Sequence, residues 1–159
     1  MNDMKRTAAG EALSDLLLDL FRLNSRANLA GDRLLAPLGL TSARWQLLGT
    51  IKCCSDRPQP VAWLARDTAA NRQNVQRIVN DLERDGLVAF KPNPHHRRAH
   101  LIVLTEKGQQ AWETAMKLQV PWVNDLADGL RLEDIKTMRA LIITLRGKLE
   151  KDAAVEDEE

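Results

Sequence analysis

The side chains best suited to molecular recognition lie on one face of a predicted helix. Between Asn71 and Gly86, apolar residues stand at positions 75, 78, 79 and 82, the i, i+3, i+4, i+7 spacing of an amphipathic helix. The opposite face is entirely polar and presents guanidinium and amide groups at Arg72, Gln73, Asn74, Gln76, Arg77 and Asn80. Such groups donate and accept paired hydrogen bonds, which is the chemistry that reads base edges in the DNA major groove. An ordinary solvated helix face is the alternative interpretation.

A second cluster of polar side chains follows in a predicted β-hairpin. A short apolar strand, Leu87 to Phe90, and a second strand, Ala99 to Leu104, flank the turn KPNPHHRR at 91–98. This turn contributes four candidate DNA contacts, Lys91, His96, Arg97 and Arg98. We expect the two arginines to reach the minor groove, with Lys91 and Arg84 nearer the phosphates. The alternative is a charged surface turn.

The elements that must position these side chains are mostly helices. The predicted helices run from Glu11 to Leu35, from the N-cap Thr41 to the loop at 55–60, from Val61 to about Thr68, from Asn71 to Gly86, from Thr105 to Gly129 with a kink at Pro121, and from Leu132 to Leu149. These bounds rest on apolar periodicity and on the capping residues, prolines and glycines near the ends. The sequence therefore predicts a mainly α fold with a small β-hairpin.

The composition and the charge distribution narrow the class of protein. With 44% hydrophobic and 28% charged residues, the chain has the composition of a globular protein. The net charge of +1 conceals an asymmetry, because residues 150–159 carry −5 and the rest of the chain carries +6. A basic body favours a nucleic-acid partner.

Other classes of protein are disfavoured by what the sequence lacks. No apolar run approaches the roughly 18 residues of a membrane span, and residues 1–10 lack the apolar block of a secretion signal. We therefore expect a cytoplasmic protein. No catalytic constellation of the Ser-His-Asp or Cys-His type and no phosphate-binding glycine loop is evident, which predicts a protein that is not an enzyme and has no cofactor.

Two motifs in this order of elements resemble the MarR (multiple antibiotic resistance regulator) family of winged helix-turn-helix regulators. The motifs are NRQNVQRIVNDLERDGLV at 71–88 and NPHHRRAHLIVLTEKG at 93–108, within a resemblance that covers about residues 11–149. The resemblance implies a winged helix-turn-helix at 41–108, flanked by dimerisation helices at 11–40 and 109–149. Residues 150–159 are then an acidic tail, which we expect to be disordered.

The resemblance also implies partners. Members of the family are homodimers, so the expected target is an imperfect palindrome of double-stranded DNA with half-sites roughly 34 Å apart. The expected function is a sequence-specific repressor that a small aromatic or phenolic effector releases. Trp45, with Arg26 as the cation for a carboxylate, is the candidate effector pocket, and plain core packing of Trp45 is the alternative.

Four further hypotheses stay open at the level of sequence. The adjacent Cys53 and Cys54 could form a redox sensor, and the wing histidines His95, His96 and His100 could bind a metal ion. A winged helix that docks a protein instead of DNA would show little dependence of binding on salt. Position 96 also departs from the family pattern, which has an aspartate there, so His96 could add positive charge at low pH.

Overall fold

The fold consists of helices and one small antiparallel sheet. The computed structural model describes residues 5–156, with side chains for residues 5–151. Within that range the elements are α1 (Ala8–Leu35), which a short 3-10 helix (Ala36–Leu38) follows, α2 (Ser42–Cys53), α3 (Val61–Asp67), α4 (Arg72–Arg84), β1 (Val88–Lys91), β2 (Leu101–Leu104), α5 (Glu106–Ala127) and α6 (Leu132–Glu156). The chain divides into two compact units, and the boundary between them lies within α5, after Val120. The predicted fold class, mainly α with a β-hairpin, is confirmed.

The helix starts follow from local capping. The side chains of Thr7, Thr41 and Asn71 each accept a hydrogen bond from a backbone N–H in the first turn of α1, α2 and α4, respectively. These bonds satisfy donors that the helix itself leaves free. Thr41 and Asn71 are the caps predicted from the sequence. Gly86 follows the end of α4 with φ +74°, a conformation in which glycine has no steric penalty.

Several predicted boundaries are wrong. β1 begins one residue later than predicted and β2 two residues later, so the hairpin loop is longer than the turn at 91–98. Helix α6 continues past Leu149 to Glu156, contrary to the expected disorder from residue 150 onward; residues 157–159 lie outside the described part. The (i, i+4) pair of Arg146 Nε with Glu150 Oε1, at 3.4 Å, favours this continuation.

The first unit has a hydrophobic core shared by its elements. Leu48 of α2, Leu64 of α3 and Leu82 of α4 are at most 1% exposed, and Ile102 of β2 is 2% exposed. Apolar residues of α4 that were identified by their spacing, at 75, 78, 79 and 82, are all buried there. One face of α4 is therefore fixed against the core and the other is left to solvent.

The base of the hairpin is held by backbone pairing and one close contact. β1 and β2 pair antiparallel from Val88 opposite Leu104 to Lys91 opposite Leu101, and Gln59 adds a bridge to Ile102. Gly108, near the start of α5, allows its helix to approach this base. A Cβ built at Gly108 would lie 1.9 Å from the backbone oxygen of Leu87, so any other residue would force the two segments apart.

Large apolar side chains remain exposed on the terminal helices. They are Leu18, Phe21, Leu23 and Leu29 on α1; Val120, Val123 and Leu126 on α5; and Leu132, Ile135, Met138, Leu141, Ile142, Ile143 and Leu149 on α6. No α6 residue with a described side chain is buried. None of the described helices is both long and hydrophobic enough to span a lipid bilayer.

Candidate nucleic-acid interface

The outward face of α4 presents an ordered set of polar side chains. All of the candidate base-reading residues on this face are exposed except Gln76, which is half-buried. Gln76 Nε2 donates to Asn80 Oδ1 at 2.8 Å, and Arg77 Nη2 donates to Asn74 Oδ1 at 2.9 Å. Among the described residues, the side chain of Arg72 makes no hydrogen bond. The face thus combines partly ordered amides with a free guanidinium group.

Asp81 stands between two arginines on the same helix. Its Oδ1 accepts a hydrogen bond from Arg84 Nη2 at 2.6 Å, and its Oδ2 lies 3.6 Å from Arg77 Nη1. The carboxylate is 30% exposed, and each arginine is at least 68% exposed. Such exposed pairs contribute little to stability. Their effect is to lower the positive charge that these arginines offer to a phosphate or a base.

The hairpin loop is shaped by a residue to which sequence analysis gave no role. Asn93 is only 9% exposed. Its Nδ2 donates to the backbone oxygen of Ala99 at 2.9 Å, and its Oδ1 accepts from the backbone N–H of His95 at 3.0 Å. These bonds span the segment that carries His96, Arg97 and Arg98, all of which are exposed. The Asn-Pro pair at 93–94 was the available signal, since asparagine side chains often close turns in this way.

The outward face of α4 and the hairpin loop line the same cavity. Arg72 and Gln76 of α4 and Arg98 of the loop line a space of about 330 Å³, with Pro60, Phe90 and His100 among its other walls. Arg72 and Arg98, which were predicted separately to contact DNA, are therefore neighbours across this cavity. The structure brings the two predicted groups of candidate residues to one side of the first unit.

The C-terminal end of α4 is held by an ion pair with α2. Arg44 is 19% exposed, its Nη2 pairs with Asp85 Oδ2, and its Nη1 donates to the backbone oxygen of Gly39 at 3.0 Å. The hydrogen bond from Arg44 lowers the pKa of Asp85, and the charges of Arg44, Arg84 and Lys107 act in the same direction. Lys107 Nζ also donates to the backbone oxygen of Asp85 at 2.8 Å. These contacts fix the end of α4 that is farther from Arg72.

The two candidate effector residues differ in their surroundings. Arg26 is exposed on α1. Trp45 is partly buried and packs against the hydrophobic core, and its indole Nε1 is buried without a hydrogen-bond partner among the described residues. Neither residue lines the cavity beside Arg72 or a smaller one, of about 130 Å³, on the α2 side of α4. Trp45 thus packs against the core, and the effector pocket at Arg26 and Trp45 stays a prediction.

The cysteines and the wing histidines show little sign of a sensing site. Burial raises the pKa of the Cys54 thiol, with smaller contributions from Asp67 and Cys53, so less of the reactive thiolate is present. In the part of the chain that the structure describes, no three His, Cys, Asp or Glu side chains are grouped as metal ligands. His100 instead contacts Phe90 edge-on, with ring centres 6.0 Å apart.

Comparison with known proteins identifies relatives across most of the chain. A model described as MarR family matches residues 38–99, which contain α2, α3, α4, β1 and the hairpin loop as far as Ala99 but not β2. An uncharacterized protein of Mycobacterium tuberculosis is 33% identical over 142 residues, covering 87% of this chain and 97% of its own. The transcriptional activatory protein BadR of Rhodopseudomonas palustris is 33% identical over 122 residues, covering 69% of this chain and 67% of its own.

A solved structure gives the same result for the fold. A cysteine-to-serine mutant of MarR from E. coli, in complex with operator DNA, superposes with a TM-score of 0.69 at 25% identity, covering 82% of this chain and 96% of that one. The family consists of regulators, so the prediction that the chain is not an enzyme is confirmed. On these matches, the chain belongs to the MarR family of DNA-binding, winged-helix transcriptional regulators.

Proposed function

We propose that this protein represses transcription as a homodimer on an imperfect palindromic operator and that a small aromatic anion releases it. The observation that carries the DNA-reading part is the convergence of the α4 face and the hairpin loop, with Arg72 and Arg98 on the walls of one cavity. A helix and a basic loop that face the same way can enter adjacent grooves of one duplex.

Base reading is assigned to the polar face of α4. Its arginines can bridge O6 and N7 of guanine, and its glutamine and asparagine side chains can bridge N6 and N7 of adenine. The apolar face of α4 is buried, so the helix can enter the groove only by the face that carries Arg72, Gln73, Asn74, Gln76, Arg77 and Asn80.

The hairpin loop is assigned to the backbone and the minor groove. The turn at 91–98 contains Lys91, Arg97, Arg98 and two histidines but no acidic residue. A narrow minor groove has an enhanced negative potential that attracts inserted arginine side chains. His96 stands where the family has an aspartate, so this loop lacks a carboxylate that would compete with phosphate for the arginines.

Dimerisation is supported by the apolar side chains on the terminal helices. Monomeric soluble proteins rarely expose contiguous apolar surface on the scale of the α6 stripe, which contains Ile135, Met138 and Ile142. A second copy that covers this stripe would also supply a second α4. A twofold dimer then reads half-sites about one helical turn apart, roughly 34 Å.

The experiment measures binding of the full-length protein to duplexes that it selects from a random-sequence library. We expect Arg72→Ala to weaken binding about 5- to 150-fold, in line with about 1–3 kcal/mol for a good base contact. We expect Arg98→Ala to weaken it as well, through loss of its minor-groove contact. Arg131→Ala, which removes the same charge from the α5–α6 turn, is the matched control. We expect affinity to fall steeply with salt concentration. A shallow salt dependence and no effect of Arg72→Ala would instead favour a protein-docking winged helix.

The direction of regulation is tested in a reporter strain. BadR is a transcriptional activatory protein, so relatives of this chain are not confined to repression. With the selected operator placed across a promoter, we expect expression to fall when the protein is present. A rise in expression would contradict the repressor assignment and leave the DNA-binding assignment intact.

The effector has two candidate positions that mutants can separate. In the cavity beside α4, Arg72 and Arg98 would hold a carboxylate while Phe90 and Pro60 pack against an aromatic ring, which would withdraw both arginines from DNA. At the position predicted from sequence, Trp45 would donate its unpartnered N–H and Arg26 would supply the charge. We expect a panel of aromatic carboxylates to lower operator affinity. Loss of that response in Phe90→Ala assigns the cavity, whereas loss in Trp45→Phe assigns the other position.

A further inference from the structure

The contact between α1 and α2 is an unusually polar one for a buried position. Ser42, the first residue of α2, is 4% exposed. Its backbone N–H donates to Asp32 Oδ1 at 2.6 Å, and its hydroxyl donates to the backbone oxygen of Asn28 at 2.8 Å. The Asp32 carboxylate therefore serves as an acceptor at the N-terminus of α2, where negative charge is stabilised by the helix dipole. Both hydrogen-bond donors of Ser42, the backbone N–H and the hydroxyl, are satisfied by α1.

Gly31 allows the two helices to approach at this point. A Cβ built on Gly31 would lie 2.4 Å from Ser42 Oγ and 3.5 Å from Ser42 Cβ. The first distance cannot be kept: either the two helices separate or the Ser42 hydroxyl rotates away and gives up its hydrogen bond to Asn28. The second distance is an ordinary contact. Farther along α2, Gln46 Nε2 donates to Asn28 Oδ1 at 3.2 Å. The α1–α2 junction thus consists of Asn28, Gly31 and Asp32 on one helix and Ser42 and Gln46 on the other.

The junction involves only the last part of a long helix. α1 has 28 residues, and its exposed apolar residues Leu18, Phe21 and Leu23 precede the junction by one to three turns. At 1.5 Å per residue, Leu18 lies about 26 Å from the end of α1 at Leu35 and Gly31 about 6 Å from it. A displacement of about 1 Å at Gly31, pivoting on Leu35, would thus move Leu18 by roughly 4 Å. That distance is about one base-pair step of DNA.

We propose that the α1–α2 junction fixes the direction of α1 relative to the DNA-binding unit and thereby sets the operator half-site spacing. The proposal rests on the homodimer proposed above, in which the exposed part of α1 contributes to the interface. In that dimer the distance between the two α4 helices depends on the angle at which each α1 leaves its own DNA-binding unit. The positioning residues for spacing are then Asn28, Gly31, Asp32, Ser42 and Gln46, which lie outside α4 and the hairpin loop.

The test measures the distance between the two copies of α4 in the full-length protein. A spin label is attached to Gln73→Cys in a Cys53→Ser, Cys54→Ser background, and the interspin distance is obtained by double electron–electron resonance. We expect Gly31→Ala to shift the mean distance by about 4 Å or more, because the added methyl group cannot lie 2.4 Å from Ser42 Oγ. In unlabelled Gly31→Ala, which keeps Gln73, we also expect the preferred half-site spacing in selected duplexes to change by one base pair.

The matched control is a double variant that removes the Ser42 hydroxyl and so makes room for the methyl group added at position 31. In Gly31→Ala with Ser42→Ala, the nearest atom to the new methyl group is the Cβ at position 42, at 3.5 Å. We therefore expect the interspin distance and the preferred spacing to return to those of the wild type. Asp32→Ala removes the acceptor at the start of α2 without adding bulk, and we expect it to broaden the distance distribution. This variant keeps the test decisive if Gly31→Ala does not fold.

The outcomes separate this inference from the proposed function. A labelled wild type that shows no intermolecular dipolar signal is not a dimer, which would overturn the dimer assignment and the spacing proposal together. The spacing proposal alone would be overturned if Gly31→Ala is a dimer with an unchanged distance distribution and an unchanged spacing preference. If Gly31→Ala does not fold, the same result in Asp32→Ala would overturn it. A double variant that remains shifted would also overturn it, because the shift would not arise from Ser42.

Discussion

The region from α2 to β2 and the helix α6 use their apolar residues in opposite ways. The first region buries leucine, isoleucine and valine from every element in one shared core. Helix α6 has a similar supply of large apolar side chains, yet all of those named above are 39% exposed or more. The first region can therefore be stabilised by contacts within one chain. The apolar side chains of α6 can be buried only if another protein surface packs against them. The two regions should respond differently to substitution and to protein concentration.

The largest effect is expected from a charge in the apolar stripe of α6. Ile142→Glu would place an unpaired carboxylate in the proposed dimer interface, at a cost of about 3 kcal/mol or more, or about 100-fold in the dimer dissociation constant. Sedimentation equilibrium over a range of concentrations measures that constant. Thr144→Glu, about half a turn away on the same helix, is the matched control and should leave it nearly unchanged. Equal behaviour of the two variants would remove α6 from the interface.

A smaller effect is expected from a cavity in the shared core. Leu82 is fully buried, and Leu82→Ala should lower the free energy of unfolding by about 2–5 kcal/mol. The measurement is urea denaturation in the Ile142→Glu background, at protein concentrations well below the dimer dissociation constant of that variant, so that dimerisation does not contribute to stability. Leu149→Ala on α6, where the side chain is 65% exposed, should change it by at most about 0.5 kcal/mol in that background. Equal changes in the free energy of unfolding for Leu82→Ala and Leu149→Ala would contradict the proposed difference between the two regions.

Within α4, Asp81 restrains two exposed arginines. Asp81→Asn should free Arg77 and Arg84 and raise affinity for a duplex of unrelated sequence at low salt, by about 3- to 10-fold, since affinity depends on the phosphates that cations neutralise. Fluorescence anisotropy measures this affinity. Glu83→Gln makes the same change of charge on the same helix, at an exposed position. A gain of the same size in both variants would mean that net charge alone, and not release of the arginines, is responsible.

The smallest effect is expected on the pH dependence of the free energy of unfolding, through the Arg44–Asp85 ion pair. Arg44 lowers the pKa of Asp85 in the folded protein, so the pair contributes stability above the unfolded-state pKa of about 3.9 and loses it as pH falls through the folded-state value. Asp85→Asn should therefore be less stable than the wild type at pH 7, and the difference should shrink below about pH 4. Urea denaturation at several pH values tests this. A difference that stays constant down to about pH 3 would contradict it.

Local patterns in the sequence were sufficient for much of the fold. The four apolar positions of α4, the caps Thr41 and Asn71 and the glycine at 86 depend on neighbours a few residues away, and all are confirmed. The base-reading and backbone-contacting roles on α4 and the hairpin stay predictions. The end of α6 was misplaced because an acidic composition was taken as a sign of disorder, whereas a helix tolerates acidic residues when they form (i, i+4) pairs.

Contacts between distant residues could not be predicted in the same way. Arg44 and Asp85 are 41 residues apart, and Asn28 and Ser42 meet only because the turn after α1 folds α2 back onto it. The role of Gly31 could not be predicted either. A glycine inside a helix usually indicates only lower helix stability, whereas here it allows α1 and α2 to approach closely. The shared cavity of Arg72 and Arg98 likewise exists only once α4 and the hairpin pack together.

The exposed stripe on α6 has a consequence for how a cell would respond to the amount of this protein. If two copies must associate before both half-sites can be filled, then well below the dimer dissociation constant the number of competent molecules grows with the square of the protein concentration. A twofold change in expression would then produce about a fourfold change in operator occupancy while the operator is far from saturated. The apolar side chains of one helix would thereby determine the dose response of every promoter that the protein controls.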